Sequence, residues 1–236
     1  MNVKTFLKKI INTFLKPNLF WINYSLVYKK NNFLFTHLSK FFFIIPSNRE
    51  ALYWKNSENV GHGYNNFIKM DELSLLLKKE IGIYAEKNDK ILDICCSVGR
   101  ILNSLCEDKY FNLHGFDINK TAIIQSIKVF PKLKNAVLTC SSAEEYLSSR
   151  ANNEFDITFS LSASLELIPS HYPVLREISR VTKKYFICLI DENGHAYPRF
   201  WRYEFQKNCF TILKCYKVNN SLTMFVLKKI KNSFNG

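Results

Sequence analysis

The chain has 236 residues, 47% of them hydrophobic, so it can bury a sizeable core and is too apolar to be disordered. Its formal net charge is +13, and residues 1–50 hold eight Lys/Arg against one acid, Glu50, a local net of +7. That balance suggests nucleic acid or an anionic membrane surface as partner, while the joint abundance of Lys, Asn, Ile and Phe gives the plainer reading of an A/T-rich codon bias.

In chain order, residues 1–16 (MNVKTFLKKIINTFLK) come first. Val3, Phe6, Leu7, Ile10, Ile11, Phe14 and Leu15 recur at helical spacing, and Lys4, Lys8, Lys9, Asn12 and Lys16 fill the other face. The pattern predicts a basic amphipathic helix that either lies in a membrane interface or packs on the body of the protein. Lysines interrupt its apolar run and no small-residue cleavage site follows, which argues against a secretory signal. NLFWINYSLVY (18–28) and FFFII (41–45) are shorter than the ~20 residues a bilayer requires, so no transmembrane helix is expected. Trp21, Tyr24 and Tyr28 keep peripheral membrane contact open. Ser47-x-x-Glu50 is a capping-box pattern that starts a short helix through Tyr53 and Trp54. GHGYNNF (61–67) reads as a loop, and Asp71 caps a helix from Glu72 to Lys79 with Leu73, Leu76 and Leu77 turned inward.

From residue 88 strand-like and helix-like runs alternate. KILDIC, FNLHGFDI, NAVLTC, FDITFSLS and KYFICLID read as strands, separated by helical stretches such as KTAIIQSIKVF and YPVLREISRVTK. FTILKCYKV and SLTMFVLKKI then form a hairpin around Asn219–Asn220, where asparagine tolerates positive φ. The expected fold is α/β: a Rossmann-like, doubly wound, mostly parallel seven-stranded sheet ending in an antiparallel hairpin, with an N-terminal helical appendage. The expected boundaries are 1–50 for the basic appendage, 51–87 for a helical cap, and 88–236 for the α/β domain. The seven cysteines are odd in number and include no C-x-x-C, so they read as small buried hydrophobes in a reducing, cytoplasmic setting, with no disulfide frame and no metal site.

Ligands of open parallel sheets bind beyond the carboxyl ends of the strands. ILDICCSVGR, GFDIN, SSAEE and FDITFSLS, closed by the hairpin, together resemble class I S-adenosylmethionine-dependent methyltransferases over residues 88–231. The resemblance implies S-adenosylmethionine as cofactor. It makes Asp93 the acid that ends the first strand and puts Cys95, Ser97 and Gly99 at the three positions where glycine is usual. It gives Asp117, followed by Ile118, the ribose hydroxyls, with capping of the next helix as the alternative role. Ser142 and Ala143 fall at the adenine position, where the family often has an acid, and Ser160, Leu161 and Ser162 fall on the floor near the reactive methyl. A nicotinamide enzyme is the alternative for such a fold, but Cys95, Ser97 and Arg100 break G-x-G-x-x-G.

SLSA is not the Asn/Asp-Pro-Pro-aromatic motif of base and amide N-methyltransferases, and no Pro-Cys motif is present, which makes nucleic acid the lesser expectation. O-methylation of a small molecule, saccharide or lipid-linked acceptor, at the inner membrane face, is expected. An RNA methyltransferase and a non-catalytic binding module are the alternatives. An oxygen nucleophile needs a proton acceptor, and His171 and His195, after the fourth and fifth strands, are the candidates. His62 with Tyr64 is placed to fold over the cofactor, His114 reads as structural, and Glu166 is either a base or a solvated helix position. Arg199, Arg202 and Tyr203 suit a phosphate- or sugar-bearing substrate, or belong to a helix that packs Phe200, Trp201 and Phe205 and leaves the arginines wet.

Overall fold

The computed structural model describes residues 49–169, 172–192, 197 and 199–230. The amphipathic pattern of residues 1–16 and the apolar runs 18–28 and 41–45 lie outside the described residues, as do His171 and His195.

Short apolar runs bounded by turns and separated by helical stretches give seven strands in one sheet: β1 (Ile91–Ile94), β2 (Leu113–Asp117), β3 (Val137–Cys140), β4 (Phe155–Ser160), β5 (Thr182–Asp191), β6 (Phe210–Lys217) and β7 (Leu222–Lys229). Their order is β3-β2-β1-β4-β5-β7-β6. β1, β2, β3, β4 and β5 pair in parallel, and β7 pairs antiparallel with both β5 and β6. β7 therefore runs against the other six strands. The hairpin closes without positive φ at either asparagine, contrary to expectation. Instead the Asn219 carboxamide oxygen accepts from the backbone N–H of Ser221 (3.0 Å) and of Leu222 (2.8 Å), an Asx-type turn.

Alternation along the strands sorts the core onto two faces. Leu92, Ile94, Phe186, Cys188, Ile190, Phe225 and Leu227 point to one side. Ile91, Ile187, Leu189, Met224 and Val226 point to the other. Each face is covered by helices, as a parallel sheet requires. On the second face lie α2 (Glu72–Tyr84) and α3 (Arg100–Glu107). On the first lie α5 (Ala143–Ser148), α6 (Val174–Val181) and α7 (Trp201–Lys207). The remaining helices are α1 (Arg49–Lys55) and α4 (Lys120–Val129).

Asp71 caps α2 as predicted, its Oδ1 accepting from Ser74 N at 2.8 Å. The helix continues past Lys79 to Tyr84 because Ile81 is buried and Glu80 is anchored. The Glu80 Oε1 accepts from Lys214 Nζ (2.6 Å) and the Tyr216 hydroxyl (2.8 Å), which ties α2 to β6. All seven cysteines are free thiols; only Cys96 and Cys188 are buried, while Cys95, Cys106 and Cys209 are half-buried and Cys140 and Cys215 exposed, which corrects the reading of the seven as buried hydrophobes. Among the described residues no helix is long and apolar enough to cross a membrane.

Candidate active site at the carboxyl ends of the strands

The strand order reverses between β1 and β4, so a crevice opens above their carboxyl ends. The loop from β1 into α3 forms one wall. Cys95 (φ 60), Ser97 (φ 50) and Gly99 (φ 82) all lie in the left-handed region. These are the positions where the resemblance places glycine, and two of them are held there by residues with a Cβ. The backbone is fixed by three hydrogen bonds: Cys96 N to Phe116 O (2.9 Å), Gly99 N to Cys96 O (2.9 Å) and Ser97 N to Asp117 Oδ2 (2.8 Å). A Cβ at Gly99 would lie 2.8 Å from Leu133 Cδ1. One at Gly115 in β2 would lie 2.7 Å from Leu102 Cδ1 and 2.9 Å from Cys96 Sγ, so a bare backbone there makes room for the loop.

Two acids face each other at the ends of β1 and β2. Asp93 is buried, and its carboxyl is held well above the usual range by burial and then by the charge of Asp117, with Arg100 opposing. No described residue donates a hydrogen bond to it. Asp117 is raised by burial, while N–H groups of Asn119, Ser97 and Ile118 pull the other way. Its Oδ1 accepts from Asn119 N and its Oδ2 from Ser97 N, each at 2.8 Å. The helix cap of α4 is Asn119, whose Oδ1 accepts from Ala122 N (3.0 Å), so Asp117 is left free of that role.

Asn119 also holds the segment before the sheet. Its Nδ2 donates to the buried Ser57 Oγ at 2.7 Å, and Glu58 Oε1 accepts from Tyr64 N at 2.8 Å. The Lys55 charge reaches Glu145 at the start of α5. Residues 55–64 therefore lie across the exits of β2 and β3. Just before this segment the Tyr53 hydroxyl is hydrogen-bonded to His62 Nδ1, and Trp54 Nε1 is buried without a partner among the described residues. Arg100 ties the same region to the loop: it donates to Lys69 O (2.8 Å) and pairs with Asp71 (3.1 Å).

At the exit of β3, Ser142 forms a full capping box with Glu145, its hydroxyl accepting from Glu145 N at 3.2 Å and donating to Glu145 Oε2 at 2.9 Å. The acid at this corner is Glu145, three residues on from Ser142, and Ala143 O accepts from the Tyr172 hydroxyl at 3.4 Å. At the exit of β4, Ser160 is buried and its hydroxyl donates to Ile94 O (3.5 Å), which joins β4 to β1. Leu161 packs against the second core face.

Glu166 is fully buried, so it is not a solvated helix position. Its Oε1 accepts from the Ser162 hydroxyl (3.0 Å) and from Asp191 N at the end of β5 (2.6 Å), while its Oε2 has no partner among the described residues. Arg199 is not wet either: it donates to Leu165 O and Ile168 O, each at 2.8 Å. Burial lowers its guanidinium to about 10, against the attraction of Glu166. Trp201 and Phe205 are buried as expected, but Phe200, Arg202 and Tyr203 are exposed. His114 reads as structural in the fold too: it sits in β2 beside Asn112 Oδ1, and burial takes its imidazole down to about 4. Among the described residues no group of three or more His, Cys, Asp or Glu is arranged to hold a metal.

The site therefore brings together Asp93, Cys95, Ser97, Gly99, Asp117 and Ile118 on one side of the crevice and Ser160, Leu161, Ser162 and Glu166 on the other. Sequence reasoning missed Asn119, Ser57, Glu58 and Glu145 as site-shaping residues. The S-x-x-E spacing from Ser142 and the Asx position before α4 were the available signals.

A methyltransferase-domain family model matches residues 85–229. A search of curated protein sequences finds no match. Among solved structures, a TehB-like SAM-dependent methyltransferase from Corynebacterium glutamicum is 17% identical at a TM-score of 0.59, over 74% of this chain and 98% of that one. A SAM-dependent methyltransferase from Aquifex aeolicus is 16% identical at 0.57, over 71% and 97%. Magnesium protoporphyrin IX methyltransferase from Synechocystis, solved with bound SAM, is 9% identical at 0.61, over 79% and 99%. At such identities the structures establish the shared fold, while the family match covers most of the chain. The chain belongs to the methyltransferase-domain family, and it shares the fold of these S-adenosylmethionine-dependent methyltransferases.

Proposed function

We propose that this enzyme transfers a methyl group to a hydroxyl oxygen of a small molecule, saccharide or lipid-linked acceptor. The residues fit the cofactor on their own chemistry. Asp93 is a buried carboxyl with no donor among the described residues, beside a second acid, which suits a ligand carrying ammonium and sulfonium charge. Asp117 accepts from Ser97 N and Asn119 N on separate oxygens, with the Ile118 N–H also acting on it, and a carboxylate's four acceptor positions leave room for a ribose hydroxyl. The left-handed turns of the loop let its backbone come close to a ligand. The bound cofactor supplies an electrophilic methyl, so the protein's task is to orient the acceptor and exclude water.

The observation that carries the oxygen acceptor is the exit of β4. The residues there are Ser160, Leu161, Ser162 and Ala163, with a hydroxyl bonded to a buried carboxyl and no planar amide, proline or aromatic platform for a nucleobase. The basic amphipathic pattern of residues 1–16 supports an acceptor met at an anionic membrane surface. Calorimetry with S-adenosylmethionine, followed by radiolabelled methyl transfer to a panel of hydroxyl, amine and RNA acceptors, tests the reading. Binding with transfer only to amines or RNA would refute it. Sedimentation with anionic vesicles tests the membrane part, and retention in the supernatant at low salt would overturn it.

A further inference from the structure

Glu166 is a buried acid that cofactor binding does not use, and it sits at a junction. The Ser162 hydroxyl donates to its Oε1 at 3.0 Å from the turn after β4, and Asp191 N donates to the same oxygen at 2.6 Å from the end of β5. The other oxygen, Oε2, is buried and has no partner among the described residues. Ser162 itself is only partly buried, so its hydroxyl stands between the crevice and the carboxyl. We propose that Ser162 and Glu166 form the proton-accepting pair of the reaction, with Ser162 touching the acceptor hydroxyl and Glu166 acting through it as the positioning residue. This rests on the reading of an oxygen acceptor.

The step balances within these groups. The acceptor O–H bond breaks and its proton passes to Ser162 Oγ. Ser162 releases its own proton to the Glu166 carboxylate. The electron pair stays on the acceptor oxygen, which becomes the nucleophile, and Glu166 later returns the proton to solvent. The electrostatics suit a group that exchanges protons near neutrality. Burial raises the Glu166 carboxyl to about 7, against the hydrogen bonds from Asp191 N, its own backbone and Ser162, and with the Asp191 charge reinforcing the rise. The titratable and charged groups that face it are Asp191 and Cys188 on β5, Cys95 on the β1 loop, and Arg199 beyond β5. The two thiols are held neutral by burial, so Asp191 and Arg199 are the charges that set its environment.

Glu166→Gln separates a proton role from a packing role. The amide oxygen keeps both accepted hydrogen bonds, and the amide cannot take a proton. In the cofactor-free protein, where burial also raises the Asp93 and Asp117 carboxyls, infrared difference titration should show a Glu166 protonated-carboxyl band that disappears with a midpoint near neutrality. E166Q should lack that band, and Ser162→Ala should move its midpoint. With a hydroxyl acceptor, wild-type kcat should fall on the acid side of the same midpoint. E166Q should lose about a hundredfold or more in kcat at neutral pH with KM and S-adenosylmethionine affinity within about twofold, and its acid limb should vanish. A titration spectrum in which E166Q removes no band from the wild-type set, or an unchanged acid limb, would overturn the pair. If no hydroxyl compound is methylated, the oxygen-acceptor reading falls, and the titration alone still judges whether Glu166 and Ser162 share a proton. Should E166Q fail to fold, S162A carries both measurements.

Discussion

Replacing Ser97 by glycine should stabilise the protein. Ser97 has φ 50, a left-handed conformation that costs an L-residue about 1–2 kcal/mol. Its N–H is used by Asp117, but its hydroxyl makes no hydrogen bond with a described residue, so the side chain offers nothing to offset that cost. Glycine adopts the same φ freely and keeps the N–H. It also gives the unfolded chain more freedom, which costs about 0.4–1 kcal/mol. The expected net gain is about 0.5–1 kcal/mol. For a chain of this length 1 kcal/mol moves Tm by about 2–4 °C, so Ser97→Gly should melt about 1–4 °C higher. Cys95→Gly is the internal comparison. The substitution relieves the same kind of strain at φ 60, but Cys95 packs against the first core face, and losing the thiol should bring the net change close to zero. Reversible thermal or urea unfolding of the cofactor-free proteins reads both. A lower Tm for S97G, with native secondary structure retained, would show that the loop is not strained at this residue.

Gly99→Ala should do the opposite, losing about 1–3 kcal/mol in urea unfolding, because φ 82 and a contact of 2.8 Å to Leu133 act together. Asp117→Asn should leave the fold intact and weaken S-adenosylmethionine binding at least about tenfold by calorimetry, since a carboxamide puts an NH2 donor where the carboxylate has its second accepting oxygen. Asn119→Ala should cost about 1–2 kcal/mol, because it removes both the cap of α4 and the tie to Ser57, and limited proteolysis should cut residues 55–64 first. Glu166 makes the stability depend on pH. Its native carboxyl sits at about 7, above the ordinary 4.5, so between those values the native state holds a proton that the unfolded state has released. Stability should therefore be highest below the ordinary value and fall as pH rises towards 7, by about 3 kcal/mol. E166Q should remove that fall, as read from urea midpoints at acid and mildly alkaline pH.

The sheet was legible because it depends on local pattern. Strand runs such as FDITFS and the Asn219 hairpin carry their periodicity and turn residues within a few positions. Asp93 and Asp117 were legible for the same reason, each ending a strand of readable length. The end of α2 lies beyond the expected Lys79 because the burial of Ile81 and the reach of Glu80 to β6, neither local in sequence, carry the helix on to Tyr84. Glu166 was harder still. Its burial depends on Asp191 N, 25 residues away, and its neighbourhood on Arg199. Ser57 meets Asn119 across 62 residues, a distance over which no sequence period carries information. Local signals placed the strands and their terminal acids, and tertiary contacts decided which polar side chains became part of the site.

The β1 loop shows how tertiary contact also replaces composition. A glycine-rich loop turns left-handed because its residues are free to do so. Here Cys95 and Ser97 are not free, yet the same turns are present. Two left-handed side-chain residues cost together about 2–4 kcal/mol. Three backbone hydrogen bonds fix the loop, one of them to the Asp117 carboxylate, and each neutral bond contributes about 1 kcal/mol with the charged one nearer 2. The two sums are of the same size, so the conformation is set by its partners. It follows that Asp117 does more than end β2: it holds the loop that faces it. Removing its charge should loosen that loop as well as weaken cofactor binding. S97G should then recover part of the stability lost in D117N, and the two substitutions should prove non-additive in a double-mutant cycle.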